Sequence, residues 1–221
     1  MDFSKLQHSQ IIDCFHSFLS QQNFPCVAAK NALAKGEIDI LIADHIACPA
    51  GDKNILQFIY NFVADYRQQQ KQFQSAAIIF KEPQDLPEEL FETFLWKRLQ
   101  ALRDMDVLNY QYDKRVSNDP ESSAFSFSLM EEAFFILALH PGSSRPARRF
   151  AYPVLVFNPH AQFEKMKETE SYNKMKAIVR KRDISFSGSL NPMLTDFGEI
   201  SEAFQYSGKN YDATWKCPLK K

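Results

Sequence analysis

The stretch AFSFSLMEEAFFILAL, Ala124–Leu139, decides the fold. Its first half alternates, with Phe125, Phe127 and Leu129 to one side and Ser126 and Ser128 to the other. That is the two-residue period of a strand with one wet face, or one lining a polar cavity. Met130–Glu132 reads as a turn, and Ala133–Leu139 is apolar on both faces, which predicts a central strand. A parallel crossover needs about a dozen linking residues or more, so these two strands must be antiparallel. The architecture expected is α+β: a small, mainly antiparallel sheet flanked by helices, in a single domain over 1–221.

Helical periods surround this pair. Leu6, Ile11, Phe15, Phe18 and Leu19 recur along Phe3–Gln21, and that helix ends before Pro25, because the residue ahead of a proline is pushed out of the helical region. Cys26–Lys35 is rich in alanine and closes at Gly36, a short helix with its glycine at C′. Glu37–Cys48 admits either an extended segment or a loop. Ile55, Ile59, Phe62 and Tyr66 mark a helix over Lys53–Phe73, and AAIIF, Ala76–Phe80, a buried strand. Pro87 followed by Glu88 and Glu89 opens a helix to about Asp104 that should bury Leu90, Phe94, Leu95 and Leu102. VLVFN, Val154–Asn158, is a further strand, with Asn158 and Pro159 capping a helix from His160 to Arg182. From Ser185 onward there is little periodicity.

Composition narrows the function. The chain has 221 residues, 45% of them hydrophobic, with 20 Phe against 2 Trp. A chain of this size buries roughly 70% of its unfolded surface, enough for one full core. The net charge of -1 offers no global field to a polyanion or an anionic membrane, so neither is an expected partner. Four cysteines, Cys14, Cys26, Cys48 and Cys217, form no CxxC pair, and MDFSKLQHSQ carries no basic-then-apolar leader, which points to a cytoplasmic protein with reduced thiols. Phosphate-cradling, dinucleotide, nucleophile-elbow and HExxH motifs are all missing.

Three stretches could carry chemistry. Cys26 sits at a helix N-terminus, where unpaired N–H groups and the dipole favour thiolate, although a cysteine is as readily a small buried hydrophobe. HPGSSRPARRF, His140–Phe150, ends the central strand with an imidazole and the forked donors Arg145, Arg148 and Arg149, suited to carboxylate or phosphate, or else forming a solvated loop. His160 and Asn158 in FNPHAQFEKMK read as an exposed residue and a cap, or as a third set of polar groups.

Those stretches, FPCVAAKNA, HPGSSRPARRF and VFNPHAQFEKMK, with SGSLNPML, QYSG and WKCPL, resemble the YqcI/YcgG family in order and spacing over nearly the whole chain. The resemblance implies a haem-dependent oxygenase, similar to the N-hydroxylases of guanitoxin and D-cycloserine biosynthesis. Haem b would bind in an apolar pocket, Arg145, Arg148 and Arg149 would meet propionates or a substrate carboxylate, and O2 or peroxide, with an electron donor, would oxidise a nitrogen-containing small molecule. Cys26 is the expected iron ligand, because a thiolate assists O–O cleavage, with His140 as its competitor or as a proton donor. Ser126, Ser128, Glu131 and Glu132 are candidate contacts for a cationic substrate. A haem-binding sensor without turnover, and a hydrolase or redox enzyme using Cys26 and His140, are the rival readings.

Overall fold

In the computed structural model, residues 7–69, 71, 73–167, 171–193, 195–212 and 214–221 are described. Five strands form one sheet in the order β1 (Ile38–His45), β2 (Ser75–Glu82), β5 (Val154–Pro159), β4 (Glu132–Leu139), β3 (Phe127–Leu129). The β1–β2 pair is parallel and the other three pairs are antiparallel, so the α+β reading holds. The segment left open at Glu37–Cys48 supplies β1, joined to β2 through α3 (Asp52–Gln69), as a parallel pair requires. The expected helical residues Phe3–Leu6 lie outside the described residues, as do 70 and 72 beyond α3.

Each face of the sheet is covered by its own helices. On one face α3 and α4 (Glu88–Asp106) pack Ile59, Phe62, Phe91, Leu95 and Leu99 onto Ile78, Phe80, Ile136 and Phe157. The α4 stripe runs through Phe91 rather than Leu90, which is 43% exposed. Pro87 does open the helix, with Glu88 and Glu89 in its first turn, where the dipole favours acids. Arg98 on the same stripe is buried, pairs with Asp52 and donates to the carbonyls of His45, Ile46 and Cys48, tying the end of β1 to α4.

The opposite face carries α1 (His8–Ser20) and α2 (Val27–Lys35), whose Ile11, Phe15 and Phe18 pack with Phe24, Ala77, Ile79, Leu139 and Val154. Gly36 ends α2 at φ 65 and its N–H donates to Ala32 and Leu33 carbonyls, the C′ role expected of it. The single helix expected over His160–Arg182 is instead α5 (His160–Lys167) and α6 (Ser171–Ser187), which pack on one another, with 168–170 outside the described residues. A short α7 (Ala203–Tyr206) lies against β4 in the tail where no periodicity was visible.

The deciding hairpin closes on two residues, with Leu129 opposite Glu132 and Met130 and Glu131 at φ 52 and 56. Two successive left-handed residues match the strand twist, yet neither is glycine or asparagine. The turn is held from outside: Met130 N–H donates to Asp106, and Arg67 donates to the Met130 carbonyl. The serine face of β3 is not wet. Ser126 donates to the Phe134 carbonyl, Ser128 accepts from Asp113 N–H, and the Asp113 carboxylate accepts from Ala133 N–H, so residues 112–115 close over this edge. An unpaired edge invites association, and this packing blunts it.

Glu131→Gly removes a left-handed β-carbon and a like charge beside Asp106. Set against the wider freedom of glycine in the unfolded chain, the net gain is about 0.5–1 kcal/mol, read as a rise of about 1–4 °C in the thermal midpoint. An unchanged or lower midpoint would show that the hairpin carries no strain.

Candidate functional site

The second face of the sheet is not fully covered. Between β4, β5, α2, α5 and α6 lies a cavity of about 340 Å³, a volume within the small-molecule range of roughly 300–1,000 Å³. Its apolar wall includes Phe15, Leu19, Phe24, Phe135, Leu137 and Val156. Its polar wall gathers Cys26, Arg145, Arg148, His160, Gln162 and Glu202. Residues from three of the stretches singled out in the sequence thus meet at one place.

Cys26 is the N-cap of α2, and its Sγ accepts the Ala29 N–H at 3.4 Å. Burial pushes the thiol up, while the N–H groups of Ala29 and Ala28 and the charge of Arg148 draw it partly back. The expectation that the helix N-terminus would favour thiolate is therefore corrected, because desolvation outweighs the dipole. The three arginines are all engaged. Arg145 pairs with Asp183 and donates to the Ser189 carbonyl, and Arg149 Nε donates to the Ser143 carbonyl at 2.9 Å. Arg148, 8% exposed, donates to the carbonyls of Ala138, Gln205 and Tyr206, and has no carboxylate at ion-pair distance among the described residues. Burial, then the charge of Arg145, lowers it to about 10, so it remains cationic at neutral pH. Arg145 and Arg148 line the cavity and Arg149 is not among its lining residues.

His140 does not line the cavity either. It is 0% exposed, with its ring stacked on Phe91 of α4 at 4.1 Å between centroids, and Nε2 is 3.8 Å from Glu88. Neither ring nitrogen has a hydrogen-bond partner among the described residues. Burial, then the charges of Arg148 and Arg149, lowers the imidazole to about 4. Strand alternation explains the placement: Leu139 packs on the α1 face, and the next residue turns toward α4. The residue sequence reasoning undervalued is His160. It is buried rather than exposed, it lines the cavity, and it follows β5 directly because the strand runs straight into α5. Asn158 is not a helix cap but a cross-sheet link: its Oδ1 accepts from Ser75 and its Nδ2 donates to the Phe135 carbonyl.

Ser126, Ser128, Glu131 and Glu132 are also elsewhere. The two serines hold the β3 edge, and Glu132 pairs with Arg115 at 2.8 Å and Arg67 at 3.6 Å. Among the described residues no group of three or more His, Cys, Asp or Glu converges on a metal position, and no helix is long and apolar enough to cross a membrane.

The buried His140 makes stability depend on pH. Folded, it stays neutral down to about 4; unfolded, it takes a proton near 6.5. Its contribution is thus whole above about pH 6.5 and is lost as pH falls toward 4, amounting to about 3 kcal/mol at roughly 1.4 kcal/mol per pH unit. Urea unfolding of wild type and His140→Phe from pH 7 to pH 4 should show the wild type losing stability more steeply; equal slopes would place a proton on the folded imidazole.

The sequence matches the YqcI/YcgG family over residues 15–220. It is also 24% identical, over 168 residues, to a Bacillus subtilis (strain 168) protein called "Uncharacterized protein YqcI", a match covering 73% of this chain and 65% of that protein. The chain thus spans just under two thirds of the relative's length. No solved structure matches the chain significantly. With nearly the whole chain, Phe15 to Lys220, inside the match, this chain is a member of the YqcI/YcgG family.

Proposed function

We propose that the cavity binds haem b and that the protein is a haem-dependent monooxygenase, hydroxylating a nitrogen of a guanidine- or amine-containing small molecule. The observation that carries this reading is one apolar cavity of about 340 Å³ whose wall holds two side-chain types that ligate haem iron, Cys26 and His160, together with the buried charge of Arg148. The donor set fits the group. A porphyrin would supply four nitrogens, so the protein would add a single side-chain ligand, and the absence of a three-residue cluster among the described residues does not bear on it. Haem, when bound, supplies oxygen activation from O2 or peroxide, with reducing equivalents from an electron donor.

The chain does the rest. Phe15, Leu19 and Phe24 exclude water, which strengthens every electrostatic contact inside. Arg148 presents a permanent charge whose present partners are neutral carbonyls, so a propionate would meet a cation that owes nothing to another acid among the described residues. Glu164 places negative charge in the wall, suited to a cationic nitrogen. The scattered free thiols fit a reducing cytoplasm, and neither nucleic acid nor membrane is needed as a partner.

Protein reconstituted with hemin should show a Soret band at one haem per chain. Ala29→Trp, which fills the cavity from α2, should lower hemin retention at least about tenfold, a change of roughly 1.4 kcal/mol, whereas His140→Phe should retain hemin. Aerobic reactions with a reductant and arginine or small amines should yield a product one oxygen atom heavier. Absence of a Soret band would sink the haem reading, and a Soret band without any such product would make the protein a haem binder that does not turn over.

A further inference from the structure

We propose that His160 is the side chain that takes the haem iron and that Glu202 is its positioning residue, holding Nδ1–H so that Nε2 carries the free lone pair. The inference rests on the haem reading of the cavity.

Three side chains compete for the iron, and their surroundings differ. Cys26 caps α2 through the Ala29 N–H in a dry wall, and burial pushes its thiol up, so ligation there would first have to remove a proton. His140 has two free nitrogens but is clamped on Phe91, on the side of the sheet away from the cavity. His160 alone combines a place in the cavity wall with an imidazole whose partners leave one nitrogen available.

The two ring nitrogens of His160 meet different groups. Nδ1 is sealed from solvent and lies 3.4 Å from Oε1 of Glu202, close enough to attract but without the alignment of a hydrogen bond. Glu202 is itself 5% exposed, and its other oxygen lies 3.5 Å from the Tyr206 hydroxyl. A buried carboxylate with so few donors gains most from the N–H beside it. Nε2 lies 3.5 Å from Glu164, whose carboxylate is half-exposed and already accepts from Lys167 at 2.7 Å. The buried partner therefore fixes the tautomer, and the exposed one yields. Phe197, edge-on at 4.4 Å, restricts the ring. Histidines that ligate metals nearly always donate their second N–H to a carboxylate or carbonyl, which orients the ring and raises its basicity. Here the buried carboxylate stands beside Nδ1 before any metal arrives.

Resonance Raman and redox titration of hemin-reconstituted protein test the pair. Wild type should show an iron–imidazole stretch that His160→Gly loses and free imidazole restores, while Cys26→Ser keeps it. Glu202→Gln should retain haem, move the stretch to lower frequency and shift the reduction potential positive, because the imidazole loses its anionic partner; a residue of merely structural importance would change neither in that direction. A wild-type spectrum in His160→Gly, with the iron–ligand signature lost in Cys26→Ser, would overturn the assignment. If wild type binds no hemin, the haem reading fails and the iron assignment with it. The tautomer is then read from nitrogen-15 NMR of the ligand-free protein: Nδ1–H in wild type, lost in Glu202→Gln, supports the positioning role, and Nε2–H in wild type refutes it.

Discussion

A single buried guanidinium joins the parts on which the site depends. Arg148 stands in the short helical turn after β4 and donates to Ala138 in that strand and to Gln205 and Tyr206 in α7. Strand end, tail helix and cavity wall are thus referred to one planar group with five donors in fixed directions. Taking the charge out of water costs several kcal/mol, which hydrogen bonds to carbonyl dipoles offset only in part. The fall of its pKa to about 10 records that cost. Gly208 belongs to the same arrangement. Its φ is +83, and a β-carbon there would stand 2.9 Å from Arg148 Cγ, so no other residue leaves the arginine stem its room.

Through α7 the influence of Arg148 reaches the deciding hairpin. Tyr206 accepts from Phe127 N–H and donates to the Phe134 carbonyl, crossing from the tail to β3 and β4 at once. Beyond it Glu92 of α4 accepts from Tyr211, Lys209 and Trp215, so the aperiodic C-terminal segment is fixed by side-chain hydrogen bonds and stacked aromatics rather than by a helical stripe. This is why the tail was opaque to periodicity. The stacked strands and long helices were legible because burial on one side imposes a period, and Gly36 and Pro87 marked their boundaries by backbone geometry alone.

The candidate site was legible by address and not by role. The motifs around Cys26, Arg148 and His160 do converge, but periodicity gives no means of assigning His140 and His160 to opposite sides of a sheet whose strand order is unknown. The signal available was parity: counting from Leu139, apolar and facing α1, the next residue must face α4. For His160 the cue was the missing loop between VLVFN and its helix, which leaves the first helical residue inside the sheet layer instead of at the surface. The serines of β3 misled for the opposite reason, since residues 112–115 lie far enough away in sequence that nothing local announces their cover.

The two faces of the sheet also differ in what their helices are for. The α3–α4 face is closed by long helices with continuous apolar stripes, and the buried His140 on it is held neutral by dryness. The other face is roofed by shorter helices in pieces, and a cavity remains where α2, α5 and α6 fail to meet over Phe135, Leu137 and Val156. A sheet so well packed on one side can leave the other incompletely filled without losing its register, because the ladder and the first core already fix every strand. In such a cavity a thiol at a helix N-terminus stays protonated despite the dipole, since the apolar wall that makes room for a ligand also withdraws the water a thiolate needs.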